Sequence, residues 1–353
     1  NAAAPDDIII VADGTYNENV NINTMGTPGD ITIQAQNPGG ATIDGGAAAA
    51  ITANTFSGAI HIEGFQLDAN TGIANGVITM LNVSGRLSVI NNTFVAGYGG
   101  TAIYVLNTAS ASTLVSVLDN NASGAVDNDD FLFVQVGENQ TGGGDTDIVV
   151  DGNVISGLED HGVQVDLEGF NYTATIRISD NNMSNWAAGG NGVVVNLGGG
   201  SPVGTNIEAY VAIENNSITQ PDGSAIFLNA DGDNTSLYVT VSNNTLTGNA
   251  NSSYGISLDD DSSSNGVTVN ASFLNNTISN FPNSGIWIRP FADDVNRNVW
   301  NLVIDGNNIS NIDTDLNGAG DEAAIEIPDN SGEDDENYTI NVEITNNTFS
   351  SIP

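Results

Sequence analysis

Short runs of alternating apolar and polar residues recur along the chain, and many of them end in an Asn pair. The stretch "VAIENNSITQPDGSAIFLNA" at residues 211–230 shows the pattern, and "VTVSNNTLTGNANSSYGISL" at 239–258 repeats it. Alternation with a period of two predicts strands buried on one face, whereas helical periodicity is nowhere sustained. The sequence therefore predicts an all-β protein made of many short strands.

The repeat becomes regular when the chain is aligned on the template apolar-x-x-Asn-x-apolar. The matched residues are Asn92, Asn120, Asn153, Asn181, Asn216, Asn244, Asn276, Asn307 and Asn347. Their spacings of 28, 33, 28, 35, 28, 32, 31 and 40 residues indicate one structural unit with loops of varying length. A second strand lies between the matched residues, usually introduced by Gly or another small residue, as in "GVQVDL" at 162.

Two or three strands per repeat, joined by turn residues, predict a β-solenoid whose rungs stack into a continuous core. About a dozen rungs at ~4.8 Å each would form a rod on the order of 55 to 60 Å long. We expect one domain over residues 1–353, with N-terminal rungs in 1–60 and the Asn-bearing repeats in 61–353.

The Asn pair has two physical roles in such a solenoid. Asn tolerates the left-handed backbone conformation needed where a strand turns a corner. An inward Asn in one column can also bond to the copies above and below it, and so satisfy groups that would otherwise be buried unpaired. The repeat predicts a buried ladder of stacked Asn side chains.

These features resemble the right-handed parallel β-helix proteins of the pectate-lyase-like superfamily. The opening "IIIVADGTYNENVNI" at 8–22 and "ITIQAQNPGGATIDGG" at 31–46 look like its first rungs, and the Asn repeats extend the resemblance to residue 349. The resemblance implies a right-handed parallel β-helix. It does not imply one activity, because the superfamily contains lyases, hydrolases, esterases, tailspikes, adhesins and surface-layer proteins.

The charge of the chain restricts its partners. There are 43 acidic residues, four Arg and no Lys, which gives a formal net charge of −39. Nucleic acid and anionic membrane surfaces are excluded as partners, because neutralising phosphates takes Lys and Arg. No apolar run reaches the ~18 residues of a membrane span, so no membrane insertion is expected. The lack of Lys favours an extracellular or cell-surface location, with acidic compositional drift as the alternative explanation.

The resemblance also suggests enzyme classes to test. It implies that lyases of this fold use Ca²⁺ with an Arg or Lys base and that pectinesterases place Arg beside two Asp, and neither set is found here. A polygalacturonase-like hydrolase fits better, since that family carries Asn-Thr-Asp, Asp-Asp, Gly-His-Gly and Arg-Ile-Lys on successive rungs. This chain has "NTA" at 107, "NDD" at 128, "DHG" at 160 and "RIS" at 177 in the same order, although Ala109 and Ser179 replace a carboxylate and the Lys.

The candidate catalytic residues of that hydrolase are Asp129, Asp130, Asp160, His161 and Arg177. If "FLFVQV" at 131 and "GVQVDL" at 162 are equivalent strands of adjacent rungs, Asp130 and His161 are stacked about 5 Å apart. Such an acidic patch suits general acid catalysis. A solvated column of turn residues is the alternative.

A second acidic segment, "DTDLNGAGDE" at 313–322, predicts a calcium site. The expected ligands are Asp313, Asp315, Asn317, the carbonyl of Ala319, and Asp321. The segment resembles the Ca²⁺ loops of EF-hands and thrombospondin type 3 repeats, in which alternate positions supply oxygen ligands. Ala324 stands at the twelfth position, where an EF-hand has a carboxylate, so weak Ca²⁺ binding is expected.

From these observations we expect a non-enzymatic extracellular structural or adhesive protein, stabilised by Ca²⁺. Such a stalk, matrix component or filament subunit would bind further copies end to end, or other parts of a longer surface protein. The alternative is a polygalacturonase-like glycoside hydrolase whose partner is an uncharged or cationic polysaccharide, because a charge of −39 repels polyuronate. A long groove lined with aromatic residues and convergent carboxylates would favour the enzyme.

Overall fold

In the computed structural model, the regular elements of the described part of the chain are all β-strands. The structure describes residues 6–23, 29–69, 75–95, 97, 100–108, 112–123, 129–137, 144–186, 189–198, 205–260, 266–290, 298–312, 323–328 and 338–352. Within these ranges no helix is long and apolar enough to cross a membrane. The prediction of an all-β protein is confirmed.

Three parallel sheets, named A, B and C, are formed by strands numbered in chain order. Sheet A contains β1 (Asp7–Val11), β4 (Ile31–Ala35), β7 (Ile60–Glu63), β10 (Arg86–Ile90), β13 (Thr113–Leu118), β16 (Thr146–Asp151), β19 (Phe170–Ser179), β22 (Thr205–Glu214), β25 (Ser236–Ser242), β28 (Thr268–Leu274), β31 (Asn298–Asp305) and β34 (Tyr338–Thr345). Sheet B contains β2 (Gly14–Asn17), β5 (Ala41–Asp44), β8 (Gln66–Asp68), β11 (Thr93–Phe94), β14 (Asn121–Ala122), β17 (Val154–Ser156), β20 (Asn182–Ser184), β23 (Ser217–Thr219), β26 (Thr245–Thr247), β29 (Thr277–Ser279), β32 (Asn308–Ser310) and β35 (Thr348–Ser350). Sheet C contains β3 (Val20–Asn23), β6 (Ile51–Asn54), β9 (Gly76–Leu81), β12 (Thr101–Asn107), β15 (Leu132–Val136), β18 (Val163–Leu167), β21 (Val193–Leu197), β24 (Ile226–Ala230), β27 (Tyr254–Asp259), β30 (Ser284–Arg289) and β33 (Ala323–Glu326).

Each strand pairs with the equivalent strands of the rungs before and after it, three strands away in the chain. Sheets A and B have 12 strands each and sheet C has 11 in the described residues, which agrees with the expected dozen rungs. Inward and outward side chains alternate along the strands, as β18 shows with buried Val163 and Val165 around half-buried Gln164. The predicted right-handed parallel β-helix is confirmed, while the division at residue 60 stays a prediction.

The corner between sheets A and B carries the Asn ladder. The Nδ2 of each matched Asn donates to Oδ1 of the next one, from Asn92 to Asn347, at 2.9–3.2 Å. All of them except Asn347 are buried. The residue before each matched Asn has a φ of 53–69°, so the left-handed turn falls on that neighbour, which is Asn215 in the repeat of Asn216. The two roles of the Asn pair are thus divided between its members.

The core is one continuous cluster of aliphatic side chains with a few large aromatic ones. Trp300, Phe65, Phe131 and Phe273 are fully buried in it. Where the chain passes from sheet B into sheet C, the backbone runs close to the inward side chains. A Cβ on Gly162 would lie 2.8 Å from Met183 Sδ and 2.5 Å from the Gly192 carbonyl oxygen. This close approach is why a Gly introduces the strand that follows His161.

Candidate functional site

The outer face of sheet C brings together the acidic and aromatic side chains that could do chemistry. Adjacent strands β15 and β18 are in register, with Phe133 beside Gln164 and Gln135 beside Asp166. These side chains point outward, because the alternate residues of both strands are buried in the core. Any ligand lying along this face would run across successive rungs.

A column of polar residues lies just before these strands. Each member of the column is three residues before the first outward side chain of its own strand. The side chain of each member accepts the backbone N–H of the equivalent residue on the next rung. The N–H of His161 donates to Asp130 Oδ1 at 2.8 Å, and the N–H of Asn191 donates to His161 Nδ1 at 3.0 Å. Ser224 N–H then donates to Asn191 Oδ1 at 2.6 Å. The structure therefore stacks Asp130 and His161 on adjacent rungs, as the strand alignment predicts.

The bond from Asn191 determines how His161 carries its proton. A backbone N–H needs a lone pair on Nδ1, so the neutral ring carries its hydrogen on Nε2. Burial lowers the pKa of His161, although the nearby Asp160 and Asp166 charges oppose this shift. Asp160 Oδ1 also lies 3.1 Å from His161 Nδ1. These two atoms are both acceptors, so they can form a hydrogen bond only if one of them carries a proton. The lowered pKa favours the neutral ring and the bond from Asn191.

Asp130 has the most strongly shifted carboxyl group of this face among the described residues. It is only 6% exposed, and burial raises its pKa to about 7, against the opposing effect of the N–H bond from His161. The charges of Asp160, Asp129 and Asp166 contribute to this raised pKa. A carboxyl group with this pKa is present in both protonation states near neutral pH, as a general acid or base requires.

Two other carboxyl groups complete the cluster. Asp160 lies next to Asp130, and its side chain is 52% exposed. Asp166 is held by the amides of Gln164 at 2.9 Å and Asn196 at 2.7 Å, and burial raises its pKa. One buried acid beside a half-exposed carboxylate is an arrangement suited to paired acid and base roles.

Asp130, Asp160 and His161 also have the spacing of metal ligands. One ligand atom from each lies within 4.8 Å of the others, and they form the one such cluster in the described residues. Two of their acceptor atoms, Asp130 Oδ1 and His161 Nδ1, already receive backbone N–H bonds. The cluster is thus better arranged for proton transfer than for holding a cation.

Aromatic side chains lie on both sides of this cluster along the rod axis. Tyr104 stacks on Phe133 at 5.3 Å between ring centroids, next to Asp130. Tyr254 stacks on Trp287 at 4.9 Å, and its rung is four rungs beyond Phe133, a distance of roughly 19 Å. A shallow pocket of about 320 Å³ lies beside Tyr254 and Trp287. We call this surface, from Tyr104 to Trp287, the sheet C groove; its pocket lies at the Tyr254 and Trp287 end.

The other predicted site residues lie elsewhere or outside the described residues. Asp129 is exposed beside Asp130, but Arg177 lies on the outer face of sheet A, 3.7 Å from Asp151, so it does not join the cluster. Arg289 is the described Arg of the sheet C groove, and it is bound to Asp259 by two bonds of 2.6 and 2.7 Å. The predicted calcium ligands Asp313, Asp315, Asn317, Ala319 and Asp321 lie outside the described residues.

Sequence analysis missed several members of the groove. Asp166, Tyr104, Phe133, Tyr254 and Trp287 are far apart in the chain and match no motif. The period of two does place the four other than Tyr254 on the outer face of their strands. Only the register between rungs shows that they share one surface.

The comparisons with known proteins identify the fold. The A-module of the mannuronan C-5 epimerase AlgE4 from Azotobacter vinelandii is similar over 98% of this chain and 87% of its own, with a TM-score of 0.57 and 15% identity. The chain is a right-handed parallel β-helix protein. No family profile matches the sequence, and no curated protein matches it.

Two further solved structures are more distant. The catalytic domain of a GH87 α-1,3-glucanase in complex with tetrasaccharides gives a TM-score of 0.35 and 14% identity, and its complex with nigerose gives 0.33 and 12%. Both matches cover 96% of this chain, which spans 64% of the length of those domains. TM-scores this low carry no argument about function.

The expectation of a non-enzymatic structural or adhesive protein is wrong. A solved structure that is similar over 98% of this chain is a module of an epimerase rather than a stalk or an adhesin. Two of the features expected of an enzyme, exposed aromatic pairs and convergent carboxylates, share the outer face of sheet C. The alternative of a carbohydrate-active enzyme is therefore the better supported one.

Proposed function

We propose that this protein is a glycoside hydrolase that cleaves a linear neutral or cationic polysaccharide bound along the sheet C groove. The observation that carries the proposal is the buried Asp130 carboxyl, with a pKa of about 7, beside the half-exposed Asp160. Glycosidic bond cleavage needs such a pair, one group to protonate the leaving oxygen and one to act at the anomeric carbon.

The flanking aromatic pairs supply the binding surface. Sugar rings have apolar C–H faces that pack on aromatic rings, and the tyrosine hydroxyls bond to sugar hydroxyls. The roughly 19 Å between Phe133 and Tyr254 leaves room for a chain of several sugar units with the Asp130 cluster beneath it. Binding on both sides of the cluster would place an internal bond of the polysaccharide at the acid.

The groove charges determine the class of substrate. Asp130, Asp160 and Asp166 face the ligand, and the described Arg of this surface, Arg289, is neutralised by Asp259. A polyuronate would meet repulsion from these groups and from a net charge of −39. An uncharged or cationic chain meets no such penalty.

We assign the steps as follows. Asp130 donates its proton to the glycosidic oxygen as the bond from that oxygen to the anomeric carbon breaks, while the Asp160 carboxylate bonds to that carbon. A water molecule then attacks the carbon, Asp130 accepts its proton, and the Asp160 ester is released as the carboxylate. One oxygen of Asp130 lies within 4.8 Å of one oxygen of Asp160, whereas inverting enzymes separate the two carboxyl groups by roughly 6.5–9.5 Å to admit a water molecule, so we expect retention of anomeric configuration.

The test is hydrolysis of a panel of soluble polysaccharides by the parent protein and by Asp130→Asn and Asp160→Asn. The panel contains xylan, glucomannan, mixed-linkage β-glucan and chitosan, with polygalacturonate and alginate as anionic controls. We expect reducing ends from at least one neutral or cationic substrate, and a loss of roughly 100- to 10,000-fold in either variant. Proton NMR of the first product shows its anomeric form.

Asp180→Asn is the matched control. Asp180 is exposed at the corner between sheets A and B with a φ of 55°, a conformation that Asn also adopts readily. This variant changes the net charge by the same amount and should keep full activity. Undiminished hydrolysis by Asp130→Asn, or activity confined to the two anionic substrates, would refute the proposal.

A further inference from the structure

A second surface with binding character lies on the outer face of sheet A, separate from the sheet C groove. Six outward residues occupy one column of β19, β22, β25, β28, β31 and β34. We call them the sheet A strip: Thr175, Tyr210, Tyr238, Asn270, Asn301 and Asn341. A shallow groove of about 810 Å³ follows the strip, which spans roughly 24 Å over five steps between rungs.

Next to Thr175, the strip presents an exposed aromatic pair. Tyr210 and Tyr238 stack at 4.9 Å between ring centroids with planes 10° apart, and they remain 43% and 36% exposed. The hydroxyl of Tyr210 donates to Glu208 at 2.6 Å, which fixes the ring on the surface. Large apolar side chains held exposed and ordered in this way are a feature of binding surfaces.

The strip continues as a ladder of amides. Asn301 Nδ2 donates to Asn270 Oδ1 at 3.0 Å, and Asn341 Nδ2 donates to Asn301 Oδ1 at 2.9 Å. Each amide group has two hydrogens and two acceptor sites. Within the ladder Asn301 uses one of each, Asn270 uses one acceptor site and Asn341 uses one hydrogen. The remaining capacity faces outward at a repeat of ~4.8 Å. Hydroxyl groups can both donate to such a row and accept from it.

The charge of the strip separates it from the rest of the molecule. None of its six residues is charged, in a chain with 43 acidic residues. Of the two neighbouring outward columns, one has charged groups only at its ends, Arg177 in β19 and Glu343 in β34. The other contains Glu208, whose carboxylate accepts the bond from the Tyr210 hydroxyl. A second copy of the chain would bring another −39 charge to this face, so self-association here is disfavoured. The complementary ligand is a neutral one.

We propose that the sheet A strip binds a linear neutral glycan as a non-catalytic site, independently of cleavage in the sheet C groove. The ligand lies along the rod axis, with C–H groups on Tyr210 and Tyr238 and hydroxyls on the Asn amides. Because the two surfaces lie on different sheets of one rod, one protein molecule can hold two glycan chains. The inference does not depend on the proposed hydrolase activity.

The experiment is affinity electrophoresis in native gels that contain xylan, glucomannan or mixed-linkage β-glucan. All proteins carry Asp130→Asn, so that turnover does not remove the polysaccharide. The strip variant adds Tyr210→Ala and Tyr238→Ala, and the groove variant adds Trp287→Ala. A conservative pair, Tyr210→Phe with Tyr238→Phe, keeps both rings and should migrate as the Asp130→Asn protein does. Thermal unfolding monitored by circular dichroism verifies that each variant is folded.

We expect at least one neutral polysaccharide to retard the Asp130→Asn protein, and the strip variant to lose at least half of that retardation. The strip and groove changes together should abolish it, because the two surfaces bind separately. Migration of the folded strip variant identical to that of its parent in every gel would overturn the inference, as would a parent that no neutral polysaccharide retards. In polygalacturonate gels no retardation is expected. The proposed hydrolase activity is tested separately: if that proposal is wrong, the Asp130→Asn protein remains active in the hydrolysis assay.

Discussion

The backbone N–H of His161 donates a hydrogen bond to Oδ1 of Asp130 at 2.8 Å, across two adjacent rungs of sheet C. This bond stabilises the charged form of Asp130, but burial of the carboxyl outweighs it and raises the pKa to about 7. The same column of backbone bonds orients His161 through Asn191. A structural feature of the solenoid therefore positions Asp130, the proposed general acid, and orients the neighbouring His161 ring.

The first prediction concerns the pH dependence of hydrolysis. If Asp130 is the general acid, it must be protonated, so kcat/KM should fall as the pH rises through about 7. Initial rates on the substrate found in the panel, measured from pH 4 to pH 9, check this. An alkaline limb centred at pH 9 or above would assign the acid to another group.

The second prediction concerns stability. The pKa of an Asp in an unfolded chain is about 3.9, and the folded value is raised, so the stabilising contribution of Asp130 is complete below about pH 4 and is lost as the pH rises to 7. Relative to Asp130→Asn, the parent should lose on the order of 4 kcal/mol across that interval. Urea unfolding of both proteins at several pH values measures the difference. A difference that does not change with pH would contradict it.

The third prediction concerns the Asn ladder. Asn216 donates to the Ile178 carbonyl at 2.9 Å and accepts from both nitrogens of Asn181 at 3.0 Å, in a fully buried position. Asn216→Leu leaves these groups unpaired and should cost several kcal/mol, at roughly 1–3 kcal/mol per group.

The outward amide ladder provides the control for that change. Asn301 lies on the sheet A strip, where water can replace its bonds, so Asn301→Leu should cost less than about 0.5 kcal/mol. Equilibrium unfolding in urea compares the two variants. Equal losses would mean that burial of Asn216 is not the source of its contribution.

The fourth prediction concerns the aromatic pair at the far end of the sheet C groove. Trp287 stacks on Tyr254 and lies 5.1 Å from the Arg289 guanidinium carbon. Trp287→Ala should raise KM by roughly tenfold with little change in kcat, because the ring binds substrate away from the reacting bond. Trp287→Phe keeps a ring at this place and should have a smaller effect. A fall in kcat alone would mean that Trp287 acts on the reacting bond.

The sequence by itself determined the solenoid and its Asn ladder. Both are periodic, and a period of about 30 residues with one Asn in register determines strand type, inward faces and stacking partners together. It also placed Asp130 beside His161, since this needed only the alignment of two neighbouring rungs. The tertiary structure decided that Asp166, Tyr104 and Trp287 share a surface with them, while Arg177 lies on another sheet. The physical reason is that strand alternation tells only whether a side chain faces inward or outward. The shape of each rung decides to which of the three sheets its strand belongs. The pKa of Asp130 was likewise decided by burial, which depends on every rung packed around it.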